Sequence, residues 1–130
     1  MGAYWLRNLN KHDEAEQFLR EGLRQNPESY EIALELGQSY LDRRDHDRAR
    51  NVLELAFRRW REQENSKPAD QQNIFSVLQI LNNLARVEDR TGHREQVVHW
   101  LELVRKASPH PEEIDKRIAE VRAGKPLEAP

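Results

Sequence analysis

An alanine followed four residues later by a leucine occurs at Ala15 and Leu19 and again at Ala49 and Leu53, 34 residues further on. Asn10 and Arg44, His12 and His46, and Asp13 and Asp47 stand at the same offset. A chain that repeats itself at this period is built by stacking one supersecondary unit, not by wrapping a single closed core. The apolar residues around both copies follow the helical period. Ala15, Phe18, Leu19 and Leu23 fall at i, i+3, i+4 and i+8, and Ala49, Val52, Leu53, Ala56, Phe57 and Trp60 share one face. No run alternates apolar and polar residues between turn signals, so no strand is predicted.

Breakers divide the chain into helices. The spacing predicts helices over 12–25, 27–42, 47–63, 71–90, 93–106 and 112–123. Asn26-Pro27, the charged run 42–47, the loop 65–70, Thr91-Gly92 and Ser108-Pro109-His110-Pro111 separate them, and Gly124 ends the last. At 130 residues, with 37% hydrophobic and 34% charged side chains, one thin-cored domain is expected. The predicted fold is all-α.

One residue breaks a local rule. Gly37 sits inside the second helix, where glycine costs ~1 kcal/mol against alanine, between Leu36 and Tyr40 on the apolar face. Leu36-Gly37-x2-Tyr40 followed by Ala49-x3-Leu53, at a 34-residue period, resembles the tetratricopeptide repeat. That resemblance implies a solenoid of antiparallel helix pairs in which Gly37 and Ala49 leave room where the two helices cross. It is strongest in the middle unit and extends over about residues 3–123. In a third unit Leu84-Ala85 takes the Leu-Gly place, Val97 the small place, and Leu101 follows. Pro27 to Pro109 is two periods plus 14, and Ala49 to Val97 is one period plus 14. One 14-residue insertion near residues 65–70 explains both. About four turns long, it is expected to lengthen each arm of one hairpin by two turns, zipped by Phe57, Trp60 and Ile74.

The units expected are residues 1–26, 27–65 and 69–108. A capping helix with an Ile114, Ile118, Val121 stripe at 111–123 and a loose tail at 124–130 follow. The first unit is short: Ala3 takes the Gly place and Leu6 the Tyr place. A piece of a larger protein and an abruptly starting array both fit this. Trp5, Leu6 and Leu9 then lie on an uncovered helix and are candidates for self-association.

Function classes narrow by chemistry. The net charge is −2, with 21 basic and 23 acidic residues mixed along the chain. The one basic run, residues 57–61, is followed by Glu62 and Glu64 and reads as a solvated helix face, so nucleic-acid binding is disfavoured. There is no cysteine, hence no disulfide and no thiolate ligand. The first residues lack the apolar core of a signal peptide, and no stretch approaches the ~20 apolar residues of a membrane span. A soluble, cytoplasmic chain without membrane contact is expected. His12, His46, His93 and His99 lack metal-ligand spacing and read as exposed turn or surface residues. Paired acids such as Glu112-Glu113 stand at helix starts, where they suit the dipole. No catalytic motif, cofactor or metal site is expected, and no enzyme.

In the family resembled, the first helix of each pair lines a concave groove that receives a peptide or partner helix. The groove residues so implied are Glu31, Leu34, Gln38 and Leu41 in the second unit, and Phe75, Gln79, Asn82 and Arg86 in the third. Leu34 and Leu41 would offer apolar contact, Asn82 would bond a ligand backbone, and Arg86 would face a ligand acid. Some members clamp the C-terminal carboxylate of chaperones. Glu31 and Glu35 stand where that clamp needs other residues, so that partner is disfavoured. The reading is a non-catalytic protein–protein interaction module. A self-assembling scaffold element and the regulatory arm of a larger protein are the alternatives.

Overall fold

A computed structural model describes the backbone of residues 2–127, with side chains for Lys11 and from Asp13 onward. Six helices occupy the described residues: α1 (Gly2–Gln25), α2 (Tyr30–Asp42), α3 (His46–Glu64), α4 (Ile74–Arg90), α5 (Arg94–Ala107) and α6 (Pro111–Arg122). A single 3-10 turn, Ala69–Gln71, lies between α3 and α4, and no strand occurs among the described residues. Each helix packs on the next, and α2 also packs on α4. The result is a solenoid of helix hairpins whose first helices, α2 and α4, lie side by side.

The chain ends its helices by one repeated device. Asp45 N–H reaches Tyr40 O (2.9 Å) while Arg44 N–H reaches Leu41 O (3.0 Å). His93 and Gly92 make the same pair of bonds to Glu88 and Asp89, and Lys125 and Gly124 to Glu120 and Val121. This 6→1 closure needs a left-handed residue at its centre. Gly92 (φ 80°) and Gly124 (φ 93°) supply it freely, whereas Arg44 (φ 61°) does so against its own Cβ. Ser29, Asp45 and Asn73 cap the next helix starts, accepting from Ile32, Arg48 and Ser76 N–H.

The crossing of α2 and α3 is as tight as the resemblance implies. A Cβ on Gly37 would stand 2.5 Å from both Cγ and Cδ2 of Leu53, and Leu53, Ala49 and Ala56 are fully buried there. Leu84, Ala85, Val97 and Leu101 do the same work between α4 and α5 with no solvent exposure. On α6 only Ile114, Ile118 and Val121 are buried, so the last helix covers α5 and turns a polar face outward.

Four expectations need correction. The first unit is not a helix pair: α1 runs unbroken from Gly2 to Gln25. Asn10, the repeat-equivalent of Arg44, stays helical, and among the described residues α1 packs on α2 alone. The 14-residue insertion is only partly helical. α3 (19 residues) exceeds α5 (14) by five, and α4 (17) exceeds α2 (13) by four, about one turn each. The remainder forms the loop around residues 65–73, where Trp60 Nε1 donates to Asn73 O (2.8 Å) and Ile74 packs on the core. Phe57 does not zip this hairpin. It meets Trp100 of α5 edge-on, with ring centroids 5.9 Å apart. Finally, residues 124–127 are not a loose tail. Arg94 Nη2 donates to Gly124 O (3.0 Å), Leu127 N–H to Asp89 Oδ1 (3.1 Å), and the Leu127 side chain packs on the core.

Two substitutions test this account by thermal melting. Gly37→Ala is expected to destabilise by ~1–3 kcal/mol, because Leu53 Cγ is fully enclosed and cannot swing away; an unchanged midpoint would contradict the crossing. Arg44→Gly is expected to stabilise by roughly 0.5–1 kcal/mol, the left-handed penalty relieved less the added chain entropy. A lower midpoint would show that the arginine side chain matters more than its backbone.

Candidate interaction groove

On α2 the buried positions span a wide arc with two edges. One edge carries Leu36 and Tyr40 and looks toward α1, where the Tyr40 hydroxyl meets Glu16. The other carries Tyr30, Leu34 and Leu41 and looks toward α4; Arg90 Nη1 of α4 donates to Leu41 O at 3.3 Å. Leu34 and Leu41 are only 6% and 2% exposed. They are therefore core residues of the α2–α4 contact and not groove residues. Both were expected off the core because one apolar stripe was assigned to one partner helix, whereas α2 has three.

What remains open on α2 is Glu31, Glu35, Asp42 and, half-buried, Gln38. On α4 the matching stripe is Phe75, Gln79, Asn82 and Arg86, spaced i, i+4, i+7 and i+11 along one face. Phe75 is 72% exposed and Arg86 is exposed; Gln79 and Asn82 are half-buried. The structure thus brings six of the eight expected groove positions onto the open faces of two adjacent helices. The side chains of Trp5, Leu6, Leu9 and His12 lie outside the described residues. His46 opens α3, half-buried, with no hydrogen-bond partner at Nε2, so it is not the exposed turn residue expected.

The groove also has a partner that sequence reasoning missed. Arg117 of α6 reaches across, its Nη1 donating to Asn82 Oδ1 (3.3 Å), while Asn82 Nδ2 donates to Leu78 O (2.9 Å). Both ends of the Asn82 amide are thus engaged within the protein. Arg86 Nη1 donates to Asn83 Oδ1 (3.4 Å). Burial of the Arg117 guanidinium, and then the like charge of Arg86, push its pKa below the usual arginine value against the favourable field of Glu120.

Two buried carboxylates hold the helices that carry the groove. Glu64, 3% exposed at the end of α3, accepts from Tyr30 Oη (2.9 Å) at the start of α2 and from Asn73 N–H (3.4 Å) at the start of α4. Lys67 Nζ lies 3.0 Å from it. Asn73 Nδ2 donates in turn to Tyr30 Oη (3.2 Å). Nearby, Arg59 Nε donates to Pro27 O (3.1 Å), and Gln63 Nε2 donates to Glu28 O. At the hairpin's other end Glu88, 5% exposed, accepts from Arg50 Nε (2.5 Å), and Arg50 Nη2 donates to Thr91 Oγ1 (3.1 Å). In a chain one-third charged nothing marks these two glutamates as buried; only the helix pairing gathers their partners.

A comparison with known families agrees with this geometry over part of the chain. Residues 7–59 match the tetratricopeptide repeat. The chain thus contains a region similar to the tetratricopeptide repeat. The matched stretch takes in most of α1, all of α2 and most of α3, and the α4–α5 hairpin repeats the same architecture beyond it. No curated protein matches the chain. Tetratricopeptide repeats generally mediate protein–protein interaction and are generally non-catalytic. Among the described residues no helix is long and apolar enough to cross a membrane, and no cluster of three or more His, Asp or Glu could hold a metal.

The hydrogen bond from Lys67, followed by those from Tyr30 and Asn73 N–H, holds the Glu64 pKa below the ordinary carboxyl value against the opposing effect of burial. A depressed folded-state pKa stabilises the fold at neutral pH, and that contribution disappears as the pH falls through the folded value. Glu64→Gln is therefore expected to melt below the wild type at neutral pH, with the gap closing in acid. Melts across this range check it, and a pH-independent gap would assign the loss to packing instead.

Proposed function

We propose that the open face shared by α2 and α4 is where this protein receives a partner polypeptide. The observation that carries the reading is Phe75. It is exposed on a helix whose other large apolar residues, Ile74, Val77, Leu78, Ile80, Leu81, Leu84 and Val87, are buried or packed on the core. A benzyl group held in water on a rigid helix is an inexpensive apolar anchor for a ligand. Around it Glu31, Gln38, Gln79, Asn82 and Arg86 supply a polar rim. Gln38 and Gln79 offer amides for a ligand backbone, a role less suited to Asn82, whose amide is already engaged.

A photo-crosslinking amino acid placed at Gln79, and separately at Arg58 on the outer face of α3, tests this in the source cell. Partner adducts are expected from position 79 and not from position 58, and Phe75→Asp is expected to abolish them without lowering the melting temperature. Adducts from both positions, insensitive to Phe75→Asp, would remove the groove from consideration.

A second reading, self-association through α1, is favoured by Phe18, which is 78% exposed. Its repeat-equivalents Val52 and Trp100 are both packed against the core, and Trp100 sits on Phe57 of the preceding hairpin. Phe18 thus offers a surface that a preceding helix covers elsewhere in the molecule. Sedimentation of wild type and Phe18→Glu decides it: concentration-dependent mass lost in the variant supports the reading, and two identical monomers reject it.

A further inference from the structure

The two ends of the solenoid carry complementary halves of one helix crossing, and the inference rests on the self-association reading above. Inside the chain the crossing occurs twice. Gly37 of α2 meets Leu53 of α3, with Ala49 one turn earlier. Ala85 of α4 and Val97 and Leu101 of α5 hold the same places 48 residues on. Every one of these residues is buried. Counting 34 residues on from Leu84-Ala85 reaches Ile118-Ala119 on α6, and counting 34 back from Ala49 and Leu53 reaches Ala15 and Leu19 on α1. Ile118 is buried, as Leu36 and Leu84 are, but Ala119 and Ala15 are both exposed. Among the described residues α6 packs on α5 alone and α1 on α2 alone. α6 thus presents the crossing face of a first helix with no second helix on it, and α1 that of a second helix with no first.

The surfaces beside the two alanines fit each other. A recess of about 480 Å³ lies between α5 and α6, with Ile118, Ala119 and Arg105 in its walls. Phe18, 78% exposed, stands one turn after Ala15, in the place that Trp100 takes on α5. Trp100 packs edge-on against Phe57 of the preceding hairpin, and on α5 the place of Phe57 is held by Arg105. In the same register, Phe18 of one copy enters the recess of another and lies on Arg105. Arg61 and Phe57 already make such a cation–π contact within the chain, at 5.1 Å. We propose that copies of this chain stack head to tail, α1 of one against α5 and α6 of the next, so that α6 and α1 complete across the junction the helix pair that α2–α3 and α4–α5 make within it. The association is reversible. Arg105 and Asp115, an ion pair at 2.5 Å, stand where the internal junction has Phe57 and Leu81, and covering charges costs what covering apolar groups does not. Because the contact joins two different surfaces, it propagates and does not close at two copies.

The test is sedimentation of wild type, of Phe18→Glu, of Ala119→Arg and of a one-to-one mixture of the two variants. Both residues are exposed, so each variant is expected to melt as wild type does; Ala119→Gln supplies a milder block if the arginine lowers the melting temperature. Wild-type mass is expected to rise with concentration past that of two copies, and each variant alone to stay monomeric. In the mixture the intact α6 end of Phe18→Glu can receive the intact α1 end of Ala119→Arg, so association is expected to return and to stop at two copies. An Ala119→Arg protein that associates as wild type does would overturn this inference and leave self-association through α1 standing. Wild-type mass that saturates at two copies, or a mixture that stays monomeric, would overturn it likewise. A wild type monomeric at every concentration, or association that Phe18→Glu leaves intact, would sink the self-association reading itself.

Discussion

The approach of Gly37 to Leu53 sets the distance between α2 and α3, and much of the molecule depends on it. With the Cβ absent, Leu53 enters the space beside α2 and is fully enclosed. That brings Glu64, at the far end of α3, within reach of Tyr30 at the start of α2. The same carboxylate bonds Asn73 N–H, while the Asn73 side chain caps α4 and so fixes where α4 begins. One missing methyl group is thus connected, through a hairpin and a carboxylate, to the placement of the helix that bears Phe75 and Arg86. Glu88 with Arg50 secures the other end of that hairpin.

Thin solenoids owe their stability to neighbours, since a hairpin alone cannot bury both of its faces. The consequence shows in α2, where three neighbouring helices take up an arc wide enough to bury seven residues. It shows inversely in α1, which among the described residues packs on α2 alone and whose large apolar Phe18 stays in water. Partner contact at α1 and partner contact at the groove are different physical propositions. The first would extend the core; the second would use a surface that the core leaves free.

Much of the fold was legible in the sequence because it is written in short-range pattern. Helix period, Asn-Pro and Thr-Gly breaks, the 34-residue recurrence and the glycine at the crossing are local features, and they predicted the order of the five helices from α2 onward closely. The open face of α2 and α4 was legible by half. Phe75, Gln79 and Arg86 could be placed on an open face from spacing alone, but Leu34 and Leu41 could not be told from ligand contacts, because their burial comes from α4, more than thirty residues away. Asn82 looked available until α6 supplied Arg117. The break expected near Asn10 failed for a related reason: a turn forms where two helices have something to pack on, and residue type at that position does not decide it.

By itself, then, the sequence determined that this protein is helical, that its unit is a hairpin, and that α2 and α3 cross closely at Gly37, since periodicity, breakers and a missing side chain act within a few turns of chain. Only the tertiary structure decided which charged residues are buried and which apolar ones are free. Glu64, Glu88 and Arg117 are ordinary charged helix residues until distant helices bring Tyr30, Arg50 and Asn82 to them. Burial of a charge depends on partners that converge from separate elements, and sequence proximity carries no record of that convergence.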